Sequence, residues 1–206
     1  MFIKTFVTIF MIMGPFMVIP TFVSLTEGIS QKQINRIASR AIMVAFGVLV
    51  ASTVAGERIF ELLSISVSSF RIAGGILILL MGINMLHAKR SAMKATDTEI
   101  EEAMERNDIS VFPIAIPLIA GPGSISTVIL FSTTGDNRLR SFIFVIISII
   151  LSSIIIYFIL RNSHLIYRVL GQTGTNIASR LMGLLLSALA IEFIISGIRS
   201  SFTFLT

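Results

Sequence analysis

The chain has 206 residues, of which 54% are hydrophobic and only 13% are charged, whereas soluble domains carry about 25% charged residues. This composition excludes a soluble globular protein and indicates an integral membrane protein. The absence of cysteine excludes disulfides and thiolate metal ligands, and the net charge of +5 lies in short loops beside apolar segments rather than in a patch that would bind nucleic acid.

Six apolar segments follow one another along the chain, each close to the about 17–25 residues that a helix needs to cross a bilayer. None of them alternates polar and apolar residues as a barrel strand would. We therefore predict an all-α membrane protein, with six transmembrane helices in a single membrane domain, 1–206. The segments are Phe6–Leu25, Ile37–Ala55, Ser69–Leu86, Ile109–Phe131, Phe142–Leu160 and Leu181–Ile198.

The first segment contains the pair Gly14-Pro15 and, further on, Pro20. Proline lacks the N–H donor of a helix and glycine gives no conformational restraint, so the pair predicts a broken helix. In a bilayer such a break is tolerated where the freed backbone groups face protein or a wet cavity. The break is therefore a candidate binding site.

The most polar stretch of the chain, 87–108, separates the third and fourth segments. Within it, Thr98 and Glu101 have the spacing of a capping box, which predicts a short surface helix. We expect a solvated linker between two halves of the chain, and a regulatory loop is the alternative.

A second helix break, Gly121-Pro122, stands in the fourth segment, 107 residues after Gly14-Pro15. Each pair interrupts the first helix of a three-helix unit. The two breaks therefore predict that the chain contains an internal repeat.

The arginines Arg71 and Arg180 begin similar stretches at a nearly equal offset. The repeats are 1–86 and 109–206, joined by the polar linker. Because each repeat crosses the membrane three times, the second enters from the opposite face, which gives an inverted repeat with broken first and fourth helices. The same relation argues that the first segment is a retained helix and not a cleaved signal peptide.

Lysine and arginine residues on alternate loops predict the orientation of the chain. Of the 16 such residues, ten lie on the side that holds the linker and six on the side of the N-terminus. Because cytoplasmic loops carry the excess of basic residues, both termini are predicted on the outer side and the linker in the cytoplasm.

Glycines in the third and sixth segments remove side chains and allow helix backbones to approach closely. They are Gly74, Gly75 and Gly183. We read them either as packing positions or as part of the binding site.

Four short motifs resemble those of the MarC family of integral membrane proteins. They occur in order over nearly the whole chain. The motifs are Arg71-Ile72-Ala73-Gly74-Gly75, Phe112-Pro113-Ile114-Ala115-Ile116-Pro117, Ala120-Gly121-Pro122-Gly123 and Arg180-Leu181-Met182-Gly183. The resemblance implies a six-helix protein of the bacterial inner membrane. Part of this family is described as transporters of small neutral amino acids such as alanine, glycine and serine, and other members have a historical link to multiple antibiotic resistance.

We therefore expect a secondary transporter of small neutral amino acids or similar small metabolites, which alternates access between its inverted repeats. A channel, or a non-transporting membrane protein of the stress or antibiotic response, is the alternative. The expected partners are the small-molecule substrate and the lipid bilayer, with no nucleic acid, cofactor or metal. Many relatives have an acidic residue before the first proline where this chain has Gly14. This departure leaves open whether a proton or a sodium ion couples transport.

Each helix that restarts after a break would point free N–H groups and the positive end of its dipole at the gap, which suits a substrate carboxylate. Unwound carbonyl groups on the other side suit an ammonium group or a cation. Asn84 adds a hydrogen bond to the substrate or holds helices together. The predicted substrate-binding residues are Gly14, Pro15, Pro20, Thr21, Ser24, Gly121, Pro122, Gly123, Ser124, Ser126, Thr127 and Asn84.

Three charged residues in or beside the spans are candidates for gating or coupling, because an unpaired charge is expensive in a bilayer. Arg71 and Arg180 are interpreted as residues for gating or for binding a carboxylate. Alternatively, they are anchors at the membrane interface or donate hydrogen bonds to the carbonyl groups of a broken helix end. Glu192 is read as a proton or cation site, as a partner of a substrate amine, or as a residue exposed toward the outer interface. An enzyme is not expected, since no nucleophile–base pair, aspartate pair or metal-ligand set lies in a span.

Overall fold

The computed structural model of the chain describes residues 2–62, 64–87, 110–133 and 137–202. Within these ranges every regular element is a helix, which confirms the all-α prediction. The predicted linker, 87–108, lies outside the described residues except for His87, which caps the helix before it.

Eight helices are present in the described ranges. They are α1 (Phe2–Ile12), α2 (Pro15–Leu25), α3 (Gln31–Leu62), α4 (Val67–Leu86), α5 (Ser110–Ile119), α6 (Pro122–Thr133), α7 (Arg138–Arg161) and α8 (Ser163–Phe202). The turns of α5 are of the wider π type. Helix α8 is interrupted at Gly171, whose φ of 62° and ψ of −176° are not helical.

Short polar side chains begin three of the longer helices. Ser66 before α4 and Asn137 before α7 each accept a hydrogen bond, 3.1 Å long, from the backbone N–H three residues on. Before α3, the hydroxyl of Ser30 donates to the side chain of Gln33 at 2.8 Å. The Ser66 and Asn137 contacts satisfy backbone N–H groups that a helix end leaves without partners, and the Ser30 contact ties the residue before α3 to its first turn.

The observed helices extend beyond the predicted apolar segments. Helix α3 begins at Gln31, six residues before the segment predicted from residue 37, and α8 begins at Ser163 rather than at residue 181. The added turns of α3 contain Lys32 and Arg36. Lysine and arginine are good helix formers, so a helix continues past the end of its apolar stretch.

The fourth predicted segment, Ile109–Phe131, is observed as two short helices. The break at residues 120–121 separates α5 from α6, which have 10 and 12 residues. Neither is long enough to cross a bilayer by itself. Five spans of the described residues are long and apolar enough to do so: Phe2–Leu25, Gln31–Gly56, Val67–Leu86, Arg138–Arg161 and Ser163–Phe202.

The outer surface of the bundle carries many large apolar side chains. Exposed examples from different helices are Met43, Leu139, Ile154, Leu181 and Leu184. A soluble monomer rarely exposes apolar patches of this extent, whereas lipid tails cover them at no cost. Together with the five spans, this surface confirms an integral membrane protein.

Helices α4 and α8 pack closely at positions that lack side chains. A Cβ placed on Gly183 would lie 2.7 Å from the carbonyl oxygen of Gly82, and one placed on Gly75 would lie 3.0 Å from the carbonyl oxygen of Ala190. Contacts that move forward along α4 move backward along α8, so the two helices run antiparallel. Small residues at such a crossing let the two helix backbones approach closely and pack in direct van der Waals contact.

Four helix ends are joined at one end of the bundle. Thr26, buried just after α2, lies 2.9 Å from Nε2 of His164 in α8. The Thr26 hydroxyl already donates to the carbonyl oxygen of Phe22 at 2.6 Å, so it accepts from the imidazole. At the same end, Gln31 of α3 donates to the carbonyl oxygen of Arg161 of α7 at 3.0 Å. Because α3 also packs on α7, these two helices run antiparallel.

The buried core has two parts. The larger part gathers apolar side chains of α1, α2, α3, α5, α6 and α7. The smaller part lies where α1, α4, α6 and α8 meet, and its members include Ile12, Ile78, Met81, Met85 and Leu186. Both helix breaks lie beside this smaller part.

Candidate functional site

The first helix break depends on a glycine in the left-handed conformation. Gly14 has a φ of 63° and a ψ of 47°, and its N–H donates to the carbonyl oxygen of Met11 at 3.1 Å, which ends α1. Pro15 then stands in the first turn of α2, where a missing N–H breaks no helical bond. A residue with a Cβ pays about 1–2 kcal/mol in this conformation, so the backbone itself requires glycine here.

The second break requires its glycine for a different reason. The N–H of Ala120 donates to the carbonyl oxygen of Ala115 at 2.9 Å, five residues back, so the last turn of α5 is wide. Gly121 is not in the left-handed region, but a Cβ there would lie 2.5 Å from the carbonyl oxygen of Pro117. Space rather than φ therefore requires glycine, and the exposed Pro122 begins α6 directly after it.

The two breaks lie side by side inside the bundle. The Oγ of Ser124, in the first turn of α6, lies 2.8 Å from the carbonyl oxygen of Ile119 and 3.5 Å from that of Ile12. The first carbonyl is at the end of α5 and the second at the end of α1. The hydroxyl donates its single proton to the nearer oxygen, and the same buried side chain lies close to the carbonyl group at the end of α1, so the two breaks are neighbours.

Helix ends of both polarities converge at this point. The ends of α1 and α5 bring carbonyl oxygens and the negative ends of their dipoles, and the starts of α2 and α6 bring positive ends. The N–H groups of Phe16, Gly123 and Ser124 belong to first turns, where a helix offers them no partner. The glycines of both breaks are buried. The arrangement can hold a small group that carries both a negative and a positive charge.

The side chain of Met81 lies beside both breaks. Met81 of α4 is buried, and a Cβ placed on Gly14 would lie 3.8 Å from its Cε and 3.4 Å from the Cε of Met17 in α2. A Cβ placed on Gly123 would lie 3.5 Å from the Sδ of Met81, 3.7 Å from Ile12 and 3.9 Å from Ile78. The sequence did not single out Met81, because an apolar residue in an apolar helix carries no local signal. Only the packing identifies it.

The other two predicted polar residues of α6 make different contacts. Thr127 donates to the carbonyl oxygen of Gly123 at 2.8 Å, which closes the first turn of α6. Ser126 packs on α4, where a Cβ placed on Gly74 would lie 3.3 Å from its Cβ. Both residues are buried near the breaks, and Ser124 is the predicted serine whose hydroxyl reaches them.

The predicted residues of the first half are spread more widely. Pro20 lies inside α2, where its missing N–H leaves the carbonyl of Phe16 without a helical partner. Thr21 is half-buried and Ser24 is exposed on the same helix, and Asn84 is half-buried on α4. Among the described residues, no hydrogen bond joins Thr21, Ser24 or Asn84 to the breaks.

The three charged candidates lie apart from the breaks. Arg71 donates to the hydroxyl of Ser196 at 2.8 Å and so joins α4 to α8. Glu192, one turn before Ser196, is exposed, as is Arg180. The buried face of α8 carries Gly183, Leu186, Ala190 and Phe193. Arg180 and Glu192 therefore lie on the outward face of α8.

Within residues 2–62, 64–87, 110–133 and 137–202, no group of three or more His, Asp or Glu side chains could hold a metal ion.

The same ranges contain three buried hydroxyl oxygens without a hydrogen-bond partner, those of Ser152, Ser153 and Ser163. Each unpaired hydroxyl costs about 1–3 kcal/mol, so α7 and the start of α8 bury polar groups at the expense of stability.

Replacing Ser124 by alanine is expected to lower the melting temperature of the detergent-solubilised protein, because the carbonyl oxygen of Ile119 loses its partner. The free energy of unfolding should fall by about 1–3 kcal/mol, and each kcal/mol lowers the melting temperature by about 2–4 °C for a chain of this size. Ser132→Ala is the matched control, since Ser132 is buried in the same helix and donates to Ile129, whose carbonyl oxygen also accepts from Thr133. Equal melting temperatures for the two variants would contradict a role of Ser124 in holding the break.

Comparison with known proteins shows similarity over the whole chain. A family model described as "MarC family integral membrane protein" matches residues 1–202. The chain is 37% identical over 201 residues to the UPF0056 membrane protein YhcE of Escherichia coli, covering 98% of this chain and 93% of that protein. It is 36% identical over 205 residues to the UPF0056 membrane protein YvbG of Bacillus subtilis, covering 99% and 97%. A UPF0056 membrane protein of Aquifex aeolicus is 34% identical over 200 residues, covering 97% and 93%. No solved structure matches the chain.

Proposed function

The chain belongs to the MarC family of integral membrane proteins, and on this premise we propose that it is a secondary transporter of small neutral amino acids or similar small metabolites. It alternates access between two inverted three-helix repeats, which together make six transmembrane helices. The observation that carries the proposal is the meeting of the two helix breaks at Ser124.

Backbone features that recur at one offset support the repeat. Each helix break, each polar residue directly before the second helix of a repeat, and the residue with positive φ that precedes α4 has a partner in the other half, the last partner being the interruption inside α8. The pairs are Gly14 with Gly121, Ser30 with Asn137, and Ser64 with Gly171, each 107 residues apart. Ser64 has a φ of 54°, close to the 62° of Gly171, although a serine is strained there.

The directions and neighbours of the helices support the inversion. In an inverted repeat, equivalent helices run in opposite directions, as α3 and α7 do, and as α4 and α8 do. Contacts between the halves are also reciprocal: α1 packs on α7 as α5 packs on α3, and α2 packs on α8 as α6 packs on α4. Such repeats place the substrate near the midplane, where their broken helices meet.

The chemistry of the breaks supports a zwitterionic substrate. A carboxylate suits the free N–H groups at the starts of α2 and α6, and an ammonium group suits the carbonyl oxygens at the ends of α1 and α5. No side-chain charge needs to be buried to bind either group. This fits a site where the three charged candidates, Arg71, Arg180 and Glu192, stand apart from the breaks.

We place the protein in the bacterial inner membrane with both termini on the outer side, because basic residues are in excess on the side of the linker. A proton or a sodium ion is the candidate coupling ion. A C-terminal reporter that is active only in the cytoplasm should therefore be inactive, and an active one would reverse the orientation.

The proposal is tested by uptake and counterflow of labelled alanine, glycine and serine in proteoliposomes, with and without a proton or sodium gradient. We expect saturable flux of at least one of them, and protein-free liposomes are the control. Absence of saturable flux would remove the amino-acid assignment. Flux that rises linearly with concentration through the purified protein would favour a channel instead.

A further inference from the structure

We propose that Met81 sets the upper limit on the size of the substrate's side chain. The inference rests on the proposed function and names the residue that makes the transporter selective for small amino acids. Its starting observation is that the Met81 side chain lies near both helix breaks: a Cβ added to Gly123 would have the Met81 Sδ as its nearest neighbour, at 3.5 Å, and a Cβ added to Gly14 would lie 3.8 Å from the Met81 Cε, next to Met17.

The two glycines and Met81 share one space. Gly14 and Gly123 add no side chain to it, and the nearest heavy atoms to an added Cβ on Gly123 belong to Met81, Ile12 and Ile78. A carboxylate at the first turn of α6 brings the substrate's Cα and its side chain into this apolar space. The substrate's side chain therefore competes with the thioether of Met81 for volume.

The backbone of α4 packs directly on α8 beside Met81. Gly82, the next residue, has its backbone against α8: a Cβ placed on Gly183 would lie 2.7 Å from the Gly82 carbonyl oxygen and 2.9 Å from the backbone N of Leu86. Rotation of the Met81 side chain is therefore the way to make space beside Gly123 without moving the α4 backbone. Methionine has three rotatable bonds and adapts to small groups, but its volume remains in the site.

The direct test compares alanine and leucine as substrates of the wild type and of Met81→Ala in proteoliposomes. The substitution removes the thioether and its flanking carbons, which leaves room for a branched side chain. We expect the ratio of transport efficiency for leucine to that for alanine to rise by about 10-fold or more, the scale on which hydrophobic pockets discriminate side chains by size. Met81→Phe should act in the opposite direction and reduce serine transport relative to glycine.

Met85→Ala is the matched control. Met85 lies one turn further along α4, is also buried, and its replacement by alanine removes the same atoms. It packs against α8 instead, since its Cβ lies 2.8 Å from the position of a Cβ added to Gly183. Its leucine-to-alanine ratio should equal that of the wild type. Monodispersity in detergent is checked for each variant, and Met81→Val, which removes less volume, replaces Met81→Ala if that protein aggregates.

The outcomes separate the inference from the function on which it rests. Saturable alanine flux in the wild type with an unchanged ratio in the Met81 variants overturns the inference alone. An equal rise in Met85→Ala also overturns it, because general loosening of α4 would then explain the change. Absence of saturable flux in the wild type overturns the proposed function and this inference together.

Discussion

Gly183→Ala is expected to lower the melting temperature of the detergent-solubilised protein by about 6–12 °C. The added Cβ would lie 2.7 Å from the carbonyl oxygen of Gly82, 2.8 Å from the Cβ of Met85 and 2.9 Å from the backbone N of Leu86. Two of these three atoms belong to the backbone, so no side-chain rotation relieves the overlap. Overpacking of this kind lowers the free energy of unfolding by about 3 kcal/mol. For a chain of this length, each kcal/mol lowers the melting temperature by about 2–4 °C.

The matched control for this prediction is Gly47→Ala. Gly47 lies inside α3, and a Cβ placed there would have no heavy atom within 4 Å. Alanine is the better helix former by about 0.5–1 kcal/mol, so this variant should melt at the wild-type temperature or slightly above it. If Gly183→Ala melted like Gly47→Ala, the close antiparallel packing of α4 on α8 would be wrong.

Gly123→Ala is expected to leave the protein folded and to reduce transport by about 10-fold or more. An added Cβ there would lie 3.5 Å from the Sδ of Met81, which is an ordinary contact, so the fold has room for it. The methyl group would nevertheless occupy the space beside the N–H groups of Gly123 and Ser124. A substrate carboxylate would then lose its approach to the start of α6.

Gly121→Ala is the comparison that separates folding from function. Its Cβ would lie 2.5 Å from the carbonyl oxygen of Pro117, so this variant should lose thermal stability as well as transport. Melting temperature and alanine uptake are measured on both proteins, with Gly47→Ala as the neutral variant. Wild-type transport by a folded Gly123→Ala protein would remove the second break from the substrate site.

The predicted family and class are confirmed, and the reason lies in local features of the sequence. The length of an apolar segment predicts a membrane span because a helix must cross the hydrocarbon core, whichever helices pack around it. The motifs that resemble the MarC family agree with the family model over residues 1–202. The Gly-Pro pairs likewise predicted both helix breaks, because each glycine acts within a few residues of itself: Gly14 through its left-handed φ and Gly121 through its approach to the carbonyl oxygen of Pro117.

Helix ends were predicted less well than helix positions. Charged residues such as Lys32 continue a helix beyond its apolar stretch, so α3 is longer than the segment that hydropathy marks. The sequence also treated Ser124, Ser126 and Thr127 alike. Rotation around α6 separates them, because one hydroxyl faces the ends of α1 and α5 while the Thr127 hydroxyl bonds to its own helix.

The sequence by itself determined that this is a helical membrane protein of the MarC family with two interrupted helices, since composition, apolar length and backbone chemistry are properties of the residues themselves. Tertiary structure alone decided which groups meet. It brought the breaks together at Ser124, placed Met81 beside them, and turned Arg180 and Glu192 outward. The physical reason is that burial and contact depend on how each helix is rotated and where it crosses its neighbours. Close packing between side chains that are distant in the sequence determines that rotation and that crossing.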